Sequence, residues 1–178
     1  MNALIEKLIA IAQKEVGTLE EGGNNHGARI VEYQKATWLK PDGWPWCAAF
    51  MCWCMLEWIK DKEVQLHFNV TPLAANGLRC RDASAFGWIK WANEKGFYVT
   101  DEKELAKAGD IVVFDFSHIA IVKEDQIAGS EFIKTIEGNT NGKGERDSVT
   151  GDGVWEKTRH CSIVKNYIRM IPETQLAA

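Results

Sequence analysis

An almost continuous apolar stretch near the middle of the chain restricts its possible folds more than any other feature. Residues 47–60 read CAAFMCWCMLEWIK, and nearly every position is apolar and compatible with a helix. A helix that is apolar on all sides is normally buried. We therefore predict a buried helix over 47–60, preceded by a loop over 39–46 that contains two prolines and a glycine.

Helical patterns fill the first half of the chain. Apolar residues at helical spacing predict an amphipathic helix over 2–16 and a shorter helix that begins at Ile30. Ser84 is a suitable N-cap for a further helix, which Gly96 ends. The stretch 64–83 contains a proline and an Asn-Gly pair, and we predict it to be irregular.

From Gly109 onward the pattern changes to short apolar runs separated by turn residues. The runs IVVF, HIAIV, EFIKTIE, GVWEKTR and SIVKNYIRMI predict β-strands. Helices followed by such strands are typical of an α+β fold, with the N-terminal helices packed on one side of an antiparallel sheet of about five to six strands. We expect the 178 residues to form a single domain over 1–178.

Charge, hydropathy and cysteine content argue against several classes of function. The net charge of −4 argues against general nucleic-acid binding, which needs a basic surface. No apolar run is long enough to span a membrane, and the N-terminal sequence MNALIEKLIAIAQKEVG has no small-residue cleavage site of a signal peptide. The five cysteines cannot all pair within one chain, so we expect reduced thiols.

Cys47 differs from the other cysteines in its position. It is the first residue of the predicted buried helix, where the partial positive charge and free N–H groups stabilise a thiolate and could bind an oxyanion. Cys52 and Cys54 fall in mid-helix, where small buried apolar side chains are the simplest interpretation. A shared metal site is not expected, because Cys54 would lie about 10 Å further along the axis. Cys47 is the candidate nucleophile, with a structural cysteine as the alternative.

A histidine and a glutamate could be brought together by a predicted hairpin. His118 begins the run HIAIV, and KEDQIAGS would connect it to the run EFIKTIE. If the hairpin is centred between Ile127 and Ala128, His118 faces Glu137, and the carboxylate could orient the imidazole. Asn139 is two residues further on, so its side chain would point to the same face of the sheet as Glu137 if the strand continues. A slip of one residue would separate the pair, which leaves a purely structural histidine as the alternative.

A thiol at a helix start, an imidazole on a strand and a polar residue on the next strand suggest papain-like geometry. The motifs PWCAAF, GDIVVF…SHIAIV and IEGNTN, in this order, resemble the CHAP peptidoglycan hydrolases, relatives of the NlpC/P60 enzymes. The resemblance extends from about residue 17 to residue 171. It implies a papain-like NlpC/P60 fold, with Cys47 as nucleophile, His118 as general base, Glu137 as its orienting residue and Asn139 as a further polar residue beside it.

The resemblance also implies a reaction. It predicts hydrolysis of an amide bond in bacterial peptidoglycan, either as a muramoyl-L-alanine amidase or as an endopeptidase of the stem or cross-bridge. Many relatives have Gln where this chain has Trp46, so oxyanion binding would depend more on backbone N–H groups. No cofactor and no metal are expected, since Asp42 stands without the aspartate-rich calcium loop of some relatives. Trp44 and Trp46 could line a substrate groove, although core packing explains them as well.

The expected setting is host lysis by a phage endolysin, with a toxin moved by a secretion machine or a phage-tail component as the alternatives. Such a protein would be a monomer without a separate wall-binding module, made in the host cytoplasm without a signal peptide and acting at the cell wall after release. Bacterial peptidoglycan would be its partner, with no nucleic acid and no stable membrane insertion. Two alternatives remain open: a catalytically dead module that binds wall fragments, and a cytoplasmic thiol amidohydrolase that acts on a small amide.

Overall fold

The computed structural model describes residues 2–142 and 152–172. The remainder of the predicted domain over 1–178 lies outside the described residues. Six helices precede the main strands: α1 (Ala3–Lys14), α2 (Ala28–Lys35), α3 (Cys47–Trp58), α4 (Lys62–His67), α5 (Pro72–Leu78) and α6 (Ala85–Lys95). Six strands follow: β1 (Tyr98–Thr100), β2 (Ile111–Phe114), β3 (Ile119–Val122), β4 (Phe132–Thr140), β5 (Gly153–His160) and β6 (Val164–Arg169).

The strands form one open sheet in the order β1-β6-β2-β3-β4-β5, and every neighbouring pair is antiparallel. Helices before an antiparallel sheet were predicted, and the α+β papain-like fold is confirmed. The strand β1 was not predicted, because a three-residue strand is too short to show a two-residue period. Among the described residues, no helix is both long and apolar enough to cross a lipid bilayer.

The predicted buried helix is confirmed as α3. Nine of its twelve residues are buried, since α1 and α2 cover it on one side and strands β3 and β4 on the other. Gly138 of β4 permits this close approach: a Cβ atom there would lie 2.7 Å from Cβ of Phe50 and 2.8 Å from Cζ3 of Trp46. The helix is therefore held directly against the middle of the sheet.

The two faces of the sheet carry different buried clusters. Residues that are directly paired across strands share a face. The face under the helices is apolar; its buried strand residues are Ile111, Val113, Ile119, Ile121, Ile136, Val154 and Ile168. The opposite face has a smaller apolar cluster that includes Val112, Phe114, Ala120 and Val122. Thr135 pairs with Val122 and with Lys157, so the side chains of Thr135, Glu137, Lys157 and Arg159 belong to this second face.

The prediction of an irregular stretch over 64–83 is wrong, because the stretch contains most of α4 and all of α5. Asp61 caps α4 by accepting hydrogen bonds from the N–H groups of Glu63 and Val64. Thr71 caps α5, and Pro72 occupies its first turn, where the missing N–H of proline has no intrahelical partner to lose. Capping therefore outweighed the breaking effect of the proline.

The predicted register of the β3–β4 hairpin is also wrong. Ile121 pairs with Ile136 and Val122 with Thr135, so the hairpin is displaced by two residues from the expected pairing. A displacement of two residues preserves the face to which each side chain points. His118 and Glu137 are therefore diagonal neighbours on one face instead of directly opposed residues.

Candidate active site

Cys47 is the first residue of α3, and its side chain is 8 % exposed. Trp46 occupies the N-cap position and makes no capping hydrogen bond with its side chain. The usual Ser, Thr, Asp or Asn cap is therefore missing where the first N–H groups of the helix point outward. These donors and the positive end of the helix dipole lie at the same place as the sulfur.

His118 stands directly before β3, where the backbone turns at Ser117 with a φ of +63°. The ring is buried, and its Nε2 lies 2.9 Å from Oε2 of Glu137. The imidazole also interacts electrostatically with the side chain of Cys47. Since Nε2 is engaged by the carboxylate, Nδ1 is the nitrogen that remains for the thiol.

Two phenyl rings keep the imidazole in a stack. The ring planes of Phe116 and His118 are 8° apart with centroids at 5.7 Å, and those of Phe114 and His118 are 17° apart at 5.9 Å. Near-parallel rings at these separations are offset stacks, a favourable arrangement for aromatic groups. The stack restricts the tilt of the imidazole.

Glu137 is completely buried and accepts hydrogen bonds from three side chains. Arg159 donates from Nε to Oε1 at 2.9 Å and from Nη2 to Oε2 at 2.6 Å. The hydroxyl of Thr135 donates to Oε1 at 2.6 Å. With His118 on Oε2, the carboxylate receives four hydrogen bonds, about as many as its two oxygens can accept.

These contacts shift the pKa values of the site in opposite directions. Burial favours the neutral imidazole, but the hydrogen bonds to Cys47 and Glu137 outweigh it and raise the pKa of His118 to about 9. Burial also favours a neutral carboxyl at Glu137, but the bonds from Arg159 and His118 outweigh it and lower its pKa to about 2. At neutral pH the pair is therefore an imidazolium and a carboxylate.

Asn139 lies at a β-bulge of β4 with a φ of +57°. Its Oδ1 accepts a hydrogen bond of 3.0 Å from the backbone N–H of Trp46. Its Nδ2 donates to Oδ1 of Asn25 at 3.0 Å and to Oε1 of Glu20 at 3.4 Å. Asn139 thus connects the residue before the thiol to β4 and to the N-terminal loop.

A cleft of about 400 Å³ opens beside the thiol. The residues that line it are Trp38, Leu39, Trp44, Pro45, Cys47, Asp82, Ala83, Ser84, Ala85 and Ser117. The structure thus places Trp44 in the groove wall. The prediction that Trp46 lines the groove is wrong, because its side chain is 0 % exposed, stacks on Tyr33 and donates from Nε1 to Glu20.

A larger cavity of about 560 Å³ lies elsewhere, between the start of α1 and the end of β6. Its buried carboxylate, Asp110, is already bonded to Arg169 at 2.8 and 2.9 Å. The cleft at Cys47 is smaller, but it alone of the two combines a nucleophile with open space. We therefore assign the candidate site to the cleft.

The other thiols of α3 have the environment of core residues. Cys52 and Cys54 are completely buried, and burial raises the pKa of each well above that of a free cysteine. Among the residues that the structure describes, no three potential ligands of the His, Cys, Asp or Glu type are grouped as a metal site. That the protein needs no metal stays a prediction.

Three residues at the site were not found from the sequence. Arg159 lies in a strand whose alternation resembles that of an exposed polar face, so nothing in the sequence indicates its burial. Glu20 lies in the polar loop GTLEEGGNNHGA, where a carboxylate is unremarkable. Trp38 is 62 % exposed and lines the cleft. Its place three residues after the end of α2 was the signal that could have indicated an exposed aromatic residue at a binding site.

A buried helix that presents a cysteine to a histidine and glutamate on an antiparallel sheet defines the class of papain-like cysteine amidohydrolases. The family model of the CHAP domain matches residues 39–139, a region that contains Cys47, His118, Glu137 and Asn139. The match covers more than half of the chain, and the protein belongs to the CHAP domain family. No curated protein matches the chain. At the level of the family, the protein is a hydrolase of the peptidoglycan amidase and endopeptidase type.

Proposed function

We propose that the protein cuts an amide bond in bacterial peptidoglycan by a cysteine-dependent mechanism, and that Cys47, His118 and Glu137 carry the chemistry. The observation that supports this most directly is the contact of 2.9 Å between Nε2 of His118 and the Glu137 carboxylate, together with the interaction of the same imidazole with Cys47, a residue of the cleft wall. A protonated imidazole at neutral pH is the natural counter-ion of a thiolate at Cys47.

In this mechanism the thiolate of Cys47 attacks the carbonyl carbon of the scissile amide. The uncapped N–H groups at the start of α3 stabilise the oxyanion that forms. His118 then donates its proton to the leaving amine, and a thioester remains on Cys47. The neutral imidazole next removes a proton from water and becomes imidazolium again, the hydroxide attacks the thioester and releases the acyl group as a carboxylic acid, and the thiolate–imidazolium pair is restored. No step requires a cofactor or a metal.

Asn139 contributes by position in this proposal. Its hydrogen bond to the N–H of Trp46 holds the backbone that enters α3, and hence the place of the sulfur relative to β4. Trp44 forms part of the cleft wall and would contact the substrate. Trp44 and Cys47 line the same space, so a substrate in the cleft would lie against both.

The test uses purified sacculi, with turbidity to follow lysis and mass spectrometry to identify the new termini. The wild-type protein is expected to release fragments with new amino groups at either the muramoyl-L-alanine bond or a bond of the stem or cross-bridge. Cys47→Ala should reduce the rate at least about a thousandfold. Cys54→Ala is the matched control, because Cys54 lies on the same helix but is completely buried. Lysis by Cys47→Ala would contradict the proposal and favour a binding module.

We further propose that the protein acts as a monomeric phage endolysin, made in the host cytoplasm and active on the wall only after release. A culture that expresses the protein is expected to keep its turbidity until the cytoplasmic membrane is permeabilised with chloroform, and then to clear. The Cys47→Ala culture should not clear. Lysis without permeabilisation would show that the protein reaches the wall by another route.

A further inference from the structure

We propose that Arg159 is a positioning residue for the reaction: its guanidinium fixes the Glu137 carboxylate and the two phenyl rings beside His118, and thereby directs the imidazole toward Cys47. The inference rests on the proposed cysteine mechanism and adds to it a residue on β5, far in sequence from the cysteine and histidine motifs. Arg159 contacts Glu137, Thr140 and the rings of Phe114 and Phe116, and it influences the imidazole through these neighbours.

The first observation is the way in which Arg159 holds the carboxylate. Two N–H groups of one planar guanidinium bind both oxygens of Glu137, at 2.9 and 2.6 Å. The terminal torsion of a glutamate is otherwise broad, and a single bond to His118 would leave the carboxylate free to rotate. A bidentate arginine removes this freedom.

The second observation concerns the ring stack. The guanidinium carbon of Arg159 lies 5.7 Å from the centroid of Phe114 and 5.9 Å from that of Phe116. These are the two rings that stack on the imidazole of His118. Contacts of a cation with ring faces at this range are attractive. One side chain therefore contacts both groups that determine the orientation of the imidazole: its hydrogen-bond partner and its stacking partners.

The third observation is burial. Arg159 is 3 % exposed and Glu137 is 0 % exposed. Removing two charges from water is costly, and an apolar pair of similar volume often stabilises a fold equally well or better. Stability alone therefore gives no reason for an ion pair at this place. Orientation of a catalytic imidazole does give one, since an apolar pair could not hold His118.

The arginine also sets the pH range over which the carboxylate can act. Its bonds lower the pKa of Glu137, so the carboxylate keeps its charge in acid. Without Arg159 the pKa of Glu137 rises, and the carboxyl takes up a proton at higher pH. A protonated Glu137 no longer supports the imidazolium, and Cys47 loses its counter-ion. The reactivity of Cys47 falls in acid, and we call this part of its pH profile the acid limb. Loss of Arg159 should thus move the acid limb toward higher pH.

The experiment compares Arg159→Gln and Arg159→Lys with the wild type in two assays. The first is alkylation of Cys47 by iodoacetamide as a function of pH, measured by mass spectrometry, which needs no peptidoglycan. The second is kcat and KM on sacculi. For Arg159→Gln we expect an acid limb displaced upward by about one pH unit or more. We also expect kcat to fall by about tenfold to a hundredfold, the usual effect of losing a hydrogen bond to a charged group, with KM nearly unchanged.

Arg159→Lys keeps the positive charge but loses the bidentate hydrogen bonds of the guanidinium. We therefore expect it to displace the acid limb in the same direction as Arg159→Gln, but by less. Lys157→Gln is the matched control: Lys157 is buried on the same face of the same strand, and its Nζ donates to the carbonyl oxygen of Asn141 at 2.8 Å. Lys157→Gln is expected to lower the thermal midpoint without displacing the acid limb. A merely structural role of Arg159 would give the same result for the Arg159 variants: a lower thermal midpoint with the acid limb in place.

A wild-type acid limb and kcat in a folded Arg159→Lys or Arg159→Gln protein would overturn the proposal. If Arg159→Gln does not fold, Arg159→Lys decides alone. The two assays also separate this inference from the proposed function. If the Arg159 variants displace the acid limb of alkylation but the wild type does not cleave sacculi, peptidoglycan is rejected as the substrate and the role of Arg159 stands. If the wild type cleaves sacculi but the variants leave the acid limb unchanged, the proposed function stands and the role of Arg159 is rejected.

Discussion

Both faces of the sheet are buried, but they are built from different groups. The face under α1, α3 and α6 is packed with aliphatic and aromatic side chains, and the mid-helix thiols of α3 belong to this core. The opposite face combines a small apolar cluster with buried His118, Thr135, Glu137, Lys157 and Arg159. The helix side contributes the nucleophile and the other side contributes the groups that orient its base.

This difference separates two tasks that one environment could not perform. An apolar core positions the sulfur by close packing, which needs no charge and tolerates none. The imidazole, in contrast, must be held in one orientation and one protonation state, and only charged and hydrogen-bonding groups can do this. The comparison can be tested by perturbing each face in turn.

The largest effect is expected on the polar face, from Glu137→Gln. The substitution removes the carboxylate charge that binds Nε and Nη2 of the buried Arg159, and breaking a buried ion pair costs about 3–5 kcal/mol of stability. It also removes the carboxylate that supports the imidazolium, so kcat should fall by about a hundredfold or more. Urea unfolding and sacculus turbidity measure the two losses. Thr135→Val is the control and should cost only about 1 kcal/mol, because it removes one neutral donor.

A smaller effect is expected on the apolar face, from Gly138→Ala. The new Cβ would lie 2.7 Å from Cβ of Phe50, so α3 must move away from the sheet. Overpacking of this kind costs about 1–3 kcal/mol. Activity should fall as well, because the start of α3 carries Cys47. In the control Gly142→Ala, the nearest atoms lie 3.8 Å away, and stability should change by no more than about 0.5 kcal/mol. Equal stability of the two variants would contradict the close packing of α3.

The stability of the polar face should also depend on pH. The pKa of His118 is raised from 6.5 to about 9, so its stabilising contribution is fully present below pH 6.5 and disappears as the pH rises through about 9. The free energy of unfolding of the wild type should therefore exceed that of His118→Gln by an amount that decreases between these pH values. Hydrolysis should decline over the upper part of the same range, since the leaving amine loses its proton donor. A constant difference across this range would contradict an ion pair at His118.

The smallest effect is expected from Cys54→Ala, again on the apolar face. It removes one buried sulfur and should cost about 1 kcal/mol, with no change in kcat or in its pH profile. Native alkylation at pH 7 should modify Cys47 much faster than Cys54, because burial raises the pKa of the Cys54 thiol well above its usual range. Rapid labelling of Cys54 would show that the core around α3 opens readily.

Much of this architecture could be predicted from local patterns. The uniform apolarity of 47–60 indicated a buried helix, and the change to short apolar runs after Gly109 indicated the sheet. The α4 and α5 helices were missed because their short capped segments have weak periodicity, and capping by Asp61 and Thr71 is a hydrogen-bond effect that composition does not show. The hairpin register was displaced by two residues, since the long connection between β3 and β4 allows several registers of equal parity.

The sequence by itself determined the parts of the candidate site: a cysteine at a helix start, a histidine at the start of a strand and a glutamate of the right parity on the next strand. These are properties of short segments and depend only on helical and strand periodicity. The tertiary structure alone decided which groups surround them. The burial of Trp46, the four hydrogen bonds on Glu137 and the place of Arg159 between the carboxylate and the ring stack all join residues distant in sequence. Such contacts depend on how the strands are ordered and which faces are covered, and no local pattern encodes either.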